Sequence, residues 1–365
     1  MIIEKIKIYK YSIPMHPFTI ATGTMDYAQN ILIKIFTETL IIGTGECSAF
    51  PMIVGETQNT CFEMAKDFAA LWKGKDALNI EDRLNDLHSF TAGNTTIKSA
   101  FDMALYDIAA QNANKPLYEF LGGLKTEMLT DITVGIGSPK LMAVQAMAFV
   151  ENGATILKIK LGKNVVTDVE RIKAIRESVG SKIKIRIDAN QGWTFEDAKN
   201  ALIQLGQYNI EFCEQPMRTY NDEYLPELMK VSPIKIMADE SVYNHHDALR
   251  LISNNACHYI NIKFAKSGGI HEALKIIEVA EKYNIKCMMG GMLESRVALT
   301  TFAHFAAANP QIIFYDMDTC MLGHKVDPVI GGITYIGYNV QLPHGIGIGA
   351  DVEESFLKAC EMVLI

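Results

Sequence analysis

The sequence predicts an α/β protein in which a smaller α+β domain precedes an eight-stranded (β/α) barrel. Two observations lead there. From about residue 128, eight apolar segments (TDITVGI, ATILKIK, KIKIRIDA, NIEFCE, IKIMADE, HYINIKF, IKCMMGG and QIIFYDMD) alternate with amphipathic helical ones such as TDVERIKAIRESV and GIHEALKIIEVAEKYN. That alternation belongs to parallel βα units, closed into a barrel or laid out as an open doubly wound sheet. The first third reads differently, and 365 residues exceed what one compact core usually holds.

In chain order, IIEKIKIYKYSI, NILIKIFTE and LIIGTGECSAF are strand-like up to residue 50. From Glu56 to about Asn114 the period becomes helical. TTIKSAFDMALYDIAAQNA spaces Ile97, Ala100, Met103, Ala104 and Ile108 into one apolar stripe. In the barrel region LKIKLG poses a question, because Lys158 and Lys160 share one face of a strand. Water on that face is the ordinary explanation of a lone KxK. The neighbouring units point elsewhere: Lys160, Asp188, Glu214, Asp239 and Lys263 each end a predicted strand, at separations of 28, 26, 25 and 24 residues. One charged residue per βα unit converges on the rim where barrels build active sites.

Composition narrows the partners. The chain is 49% hydrophobic and 21% charged, with a net charge of -8 and no long basic block, which argues against nucleic acid or an anionic membrane as partner. Seven cysteines, odd in number and without a CxxC pair, read as free thiols in a reducing compartment. The N-terminus alternates apolar and charged residues instead of forming a signal peptide, and no apolar run is long enough for a bilayer. The expected location is the cytoplasm.

Asp188, Glu214 and Asp239 offer three hard oxygen ligands on adjacent strands with no His or Cys beside them, a set suited to Mg²⁺, or to Mn²⁺ in its place. Asn190 and Glu240 would support them by hydrogen bonding or cap the loops that follow. Lysines flank the row. Lys160 and Lys263 are placed to remove and return an α-proton of a carboxylate substrate from opposite sides, with the metal offsetting the charge of the enediolate. Lys158 would face inward as an electrostatic partner that, with the metal, favours neutral Lys160.

At this point the sequence resembles the enolase superfamily, in its muconate-lactonizing-enzyme subgroup. FDMALYDIAAQNANKPLYEFLGG looks like the end of the family's capping domain and LKIKLG like its K-x-K strand. IDANQGW, EFCEQP, MADES and INIKFAKSGGI match the metal-ligand and second-lysine segments, and LPHGIGIG the glycine-rich return. The resemblance implies a (β/α)7β TIM-type barrel at 126–320 under an N-terminal α+β cap at 1–125, completed by a C-terminal segment at 321–365. It implies Mg²⁺ on Asp188, Glu214 and Asp239, acid/base work by Lys160 and Lys263, an auxiliary role for Lys158, and cap loops near residues 16–25 and 50–57 that select substrate.

Within the subgroup, Asp316 and Asp318 of FYDMDTCML match the D-x-D with which dipeptide epimerases hold a substrate's ammonium group. Gly290, Gly291 and Met292 of GGMLES, together with Thr133, are the further candidates for substrate contact; Glu294 has no assigned role. Met289, Met292, Met317 and Met321 are candidates for a side-chain pocket, whereas His245 and His246 read as helix-capping or solvent-facing. Epimerases for alanyl-glutamate often carry an arginine in the first cap loop, where this chain has Gly23. The expected activity is therefore a Mg-dependent dipeptide epimerase with a small-molecule dipeptide as partner, in a homo-oligomer. Its rivals are an N-acylamino acid racemase, an o-succinylbenzoate synthase or a muconate cycloisomerase, and, from another class, a non-catalytic metal-binding scaffold.

Overall fold

Strand Ile3–Ile20 turns back through Gly23–Thr37 and Ile42–Ser48 to form an antiparallel sheet, and Glu361–Leu364 from the far end of the chain pairs along its open edge. This is a computed structural model that describes residues 1–124 and 127–365. Alternation along the first strand places Ile6 and Ile8 on one face and Tyr9, Tyr11 and Ile13 on the other. Both sets are buried, in different clusters, so the sheet is covered on both sides. One cover is helix Thr95–Asn112. It is buried nearly all round, as a helix must be when it lies between two layers. A Cβ on Gly43 or Gly45 would meet the carbonyl oxygens of Ala104 or Ala100 at 2.2 and 2.0 Å, so GTGE carries glycine where that helix presses on the sheet.

The eight expected barrel strands are all present and run parallel in chain order: Ile132–Val134, Ile156–Lys160, Lys184–Asp188, Ile210–Glu214, Ile236–Ala238, Tyr259–Ile262, Lys286–Gly290 and Ile312–Asp316. Helices separate each from the next, giving the (β/α)7β arrangement in a nearly closed barrel. The first and last strands meet through Asp131 N donating to Tyr315 O at 3.2 Å and Met317 N to Thr130 Oγ1 at 2.9 Å. Register carries the rim residues to one level, for Lys160 pairs with Asp188 and Asp188 with Glu214. Asp239 and Lys263 lie one residue beyond their strands, and Asp318 lies two beyond its own, capping the turn Thr319–Leu322 instead of standing on the strand.

The expected boundary at 125/126 falls outside the described residues. The segment after the barrel contributes Asn339–Gln341 to a small sheet with Met128–Leu129 before the chain returns to the cap. Among the described residues no helix is long and apolar enough to cross a membrane.

Candidate active site

Every side chain of strand Ile156–Lys160 is buried, so both lysines point into the barrel rim. Lys160 Nζ lies 2.6 Å from Asp188 Oδ2. Lys158 Nζ lies 2.7 Å from Glu214 Oε2, 2.7 Å from Asp316 Oδ2 and 3.4 Å from Asp188 Oδ2. Across the rim Lys263 Nζ sits 2.8 Å from Asp239 Oδ2 and 3.9 Å from Glu214 Oε1, and Lys266 Nζ 2.6 Å from Asp239 Oδ1. Two lysine-bearing strands thus flank three neighbouring strands that end in carboxylates. Burial alone would lower the Lys158 ammonium, but Asp316, Glu214 and Asp188 overcome it and hold its pKa well above the usual lysine range. Lys158 faces inward as expected, with its charge spent on three carboxylates of the site.

Burial, with Asp188 adding to it, pushes Glu214 up to about 7; burial with Asp239 pushes Glu240 up to about 8. Asp188 and Asp239 are drawn down against burial by their lysines. Glu214 Oε2 and Asp239 Oδ1 touch ammonium groups without hydrogen-bond geometry, and Asn190 Oδ1 and Glu240 Oε2 find no partner among the described residues. Asn190 Nδ2 reaches Glu240 Oε1 at 3.5 Å, and Asn190 N donates to Asp188 Oδ1 at 2.8 Å, so the two expected supports meet behind the row. An all-oxygen set that holds buried acceptors without donors fits a hard divalent cation.

A second acidic group lies where the first and eighth strands meet. Asp131, Asp316 and Asp318 bring carboxylate oxygens within 4.8 Å of one another, closer than the row Asp188, Glu214 and Asp239, whose members are each drawn toward a lysine. Arg186, stacked on Phe212 and Phe314, binds Asp131 Oδ2 at 2.8 Å, Lys158 binds Asp316, and Thr133 N donates to Asp318 Oδ2 at 2.6 Å. Asp131 Oδ1 has no hydrogen-bond partner among the described residues. Burial and the neighbouring Asp316 and Asp131 raise Asp318 well above the ordinary carboxylate range. Arg186 is shared with Glu211 at 2.7 Å and Lys158 with Glu214 and Asp188, which leaves the three carboxyl groups short of positive charge.

Gly290 ends its strand with the Asn261 amide 2.6 Å from where a Cβ would stand, and Asn261 Nδ2 in turn donates to Glu214 Oε1 at 2.7 Å. Gly291 and Met292 line a cavity of about 40 Å³ shared with Lys160, Lys263 and Asn190. Of the four rim methionines only Met292 lines it; Met289 and Met317 are fully buried in the core. Glu294 accepts from Met292 N at 2.6 Å and so ties the loop back on itself, and His245 begins a helix with its Nδ1 2.5 Å from Glu272. Sequence reasoning missed Asp131, Arg186, Asn261 and Lys266. Arg186 stands two residues before Asp188 on the same strand face, and Lys266 three after Lys263, signals that were available.

Two family models cover the chain: residues 3–122 match the mandelate racemase / muconate lactonizing enzyme N-terminal domain, and residues 141–356 the enolase C-terminal domain-like family. The D-Ala-D/L-Ala epimerase of Cytophaga hutchinsonii is 42% identical over 100% of both chains. A crystal structure of a dipeptide epimerase from the same organism, complexed with Mg and D-Ala-L-Val, matches over 100% of both chains with a TM-score of 0.99. The hydrophobic dipeptide epimerase of Enterococcus faecalis is 41% identical over 87% of this chain and 90% of its own, and the N-succinyl-L-Arg/Lys racemase of Bacillus cereus 32% identical over 98% and 97%.

Proposed function

This chain belongs to the mandelate racemase / muconate lactonizing enzyme family of the enolase superfamily, and from that premise we propose that it is a magnesium-dependent dipeptide epimerase. The reaction is inversion of the α-carbon of the dipeptide's C-terminal residue. One juxtaposition carries the reading: two lysines at opposite ends of a carboxylate row, with the acidic trio Asp131, Asp316 and Asp318 beside it.

Asp188, Glu214 and Asp239 would hold the metal, with Asn190 and Glu240 behind them; manganese would suit the same oxygens. When bound, magnesium supplies the positive charge that lets a carboxylate take up the electron pair released from its α-carbon. Lys160 and Lys263 handle the proton. A neutral Nζ on one side removes it, and the ammonium on the other returns one to the opposite face. Lys158, bonded to both acidic groups, keeps them from repelling one another across the strand. Asp316 and Asp318 accept from the substrate's ammonium group, with Asp318 held by Thr133 N, while the chain at Gly290, Gly291 and Met292 meets the peptide.

An N-acylamino acid racemase would use the same lysines, and the acidic trio speaks against it. An acylated amine offers no charge and leaves buried carboxylates without a counter-ion, which costs more than one lost contact. Two charge-assisted hydrogen bonds at about 1.5–3 kcal/mol each predict at least roughly 10²-fold preference in kcat/KM for free over N-acetylated dipeptides. NMR of α-proton exchange in deuterium oxide measures it, and the preference should collapse in Asp316→Asn with Asp318→Asn. A wild-type preference for acylated amino acids transfers the assignment to the racemases.

A further inference from the structure

Helix Pro139–Glu151 lies outside the barrel, between the strand that carries Thr133 and the strand that carries Lys158 and Lys160. Its buried side chains, Met142 and Ala146, join the barrel core. On the other side Lys140, Leu141, Val144, Gln145, Ala148 and Glu151 are exposed, Leu141 by 67% and Val144 by 62%. With 3.6 residues per turn, Lys140, Val144, Ala148 and Glu151 fall along one stripe of the helix, flanked by Leu141. Between its two ends that stripe carries no charge.

A helix face turned to water is normally polar along its length. Helix Val165–Val179, packed beside this one, follows the rule by exposing Glu170, Lys173 and Glu177. Helix Pro139–Glu151 has two charged residues in 13, and both stand at the end of the helix that suits them least. Lys140 is in the first turn, at the positive pole of the helix dipole, and Glu151 is the last residue, at the negative pole. The ion pairs of the adjacent helix, Asp168 with Arg171 and Lys173 with Glu177, leave both out, and neither is in an ion pair among the described residues. Each charge is misplaced for its own helix and well placed for an identical helix running the other way.

We propose that this face is a two-fold contact between two copies of the chain, with the two helices Pro139–Glu151 lying antiparallel. Lys140 of each copy then meets Glu151 and the negative helix end of the other, and Val144 packs into the hollow left by the small Ala148. A parallel pairing would set like charges together at both ends. The apolar stripe supplies the attraction, while the ion pairs at its ends, weak in themselves, fix the direction of pairing.

The test is sedimentation velocity on the purified full-length chain and on variants at these exposed positions, with circular dichroism to check their fold. The wild type should sediment as a dimer or an even multiple of one, and Val144→Glu should halve that mass; Ala148→Glu should do the same and serves in its place if Val144→Glu misfolds. Lys140→Glu and Glu151→Lys should each weaken the pairing at least roughly tenfold, by facing acid with acid or base with base. Mixed one to one, these two variants carry opposite charges at every contact, so the mixture should regain the wild-type mass as mixed pairs. A wild type that is monomeric at micromolar concentration overturns the proposal. So does an oligomer whose mass is unchanged in both Val144→Glu and Ala148→Glu, which would place the contact on another surface. A mixture that sediments as the sum of its two components overturns the antiparallel pairing.

Discussion

Lys160 and Lys263 are each held by a different member of the carboxylate row, at 2.6 Å from Asp188 and 2.8 Å from Asp239. Each is fixed on its own side of the site, and neither can cross to do the other's work. Lys160→Ala should therefore still wash out the α-proton of one stereoisomer through Lys263, while Lys263→Ala exchanges only the other, and neither interconverts them. Deuterium exchange on each pure isomer reads this directly; interconversion at the normal rate in either variant sinks the two-base scheme. These lysines were legible in the sequence because one charged residue recurred per βα unit, at a spacing the barrel repeats. Asp131 and Asn261 were not. Their partners Arg186 and Glu214 are 55 and 47 residues away, so nothing local distinguishes either from an ordinary loop or strand polar residue.

Helix Arg296–Ala308 shows how single elements are locked across the two parts of the molecule. Its N-terminus is met by Glu46 of the cap sheet, which accepts from Ser295 N at 2.9 Å and Ala298 N at 2.9 Å, a carboxylate at the positive end of a helix. Midway along it, His304 Nδ1 accepts from Tyr118 N, so Nε2 carries the proton and donates to Ile348 O. Burial lowers this imidazole to about 4. Its folded-state pKa lies below the usual 6.5, so the folded protein binds fewer protons than the unfolded chain between those values. The stability it contributes is full above pH 6.5 and is lost as pH falls toward 4, by about 3 kcal/mol over the window. Urea unfolding at pH 6.5 and 5.0 should show His304→Gln losing about 2 kcal/mol less than wild type; equal losses would place the acid sensitivity elsewhere. The sequence revealed the elements themselves, since strand and helix periods alternate cleanly. It did not reveal that Asp318 leaves its strand, because a period-two pattern reads straight through a turn.

At the scale of the whole molecule, cap and barrel are bonded through buried carboxylates. Asp102 of the cap accepts from Ile270 N at 2.5 Å and His271 N at 3.1 Å of the barrel, as Glu46 does from Ser295 N and Ala298 N. Two regions that share their helix caps should unfold together. The chain's two tryptophans test this: Trp72 is buried in the cap and Trp193 in the barrel. Heating Trp72→Phe and Trp193→Phe while following fluorescence should give transitions that coincide with those seen by circular dichroism of the same variants. Separate midpoints would mean the cap melts alone. The edge strand Glu361–Leu364 completes that cap by pairing with Lys7 to Lys10, which sets an order of events during synthesis. At roughly 10 residues per second the first strand waits on the order of half a minute on the ribosome for its outer neighbour. Throughout that time its free edge is open to any other extended chain. Lys5, Lys7 and Lys10, along that first strand, make the edge costly for a nascent neighbour to copy. The charges that alternate through IEKIKIYK are what a strand needs when its partner is made last.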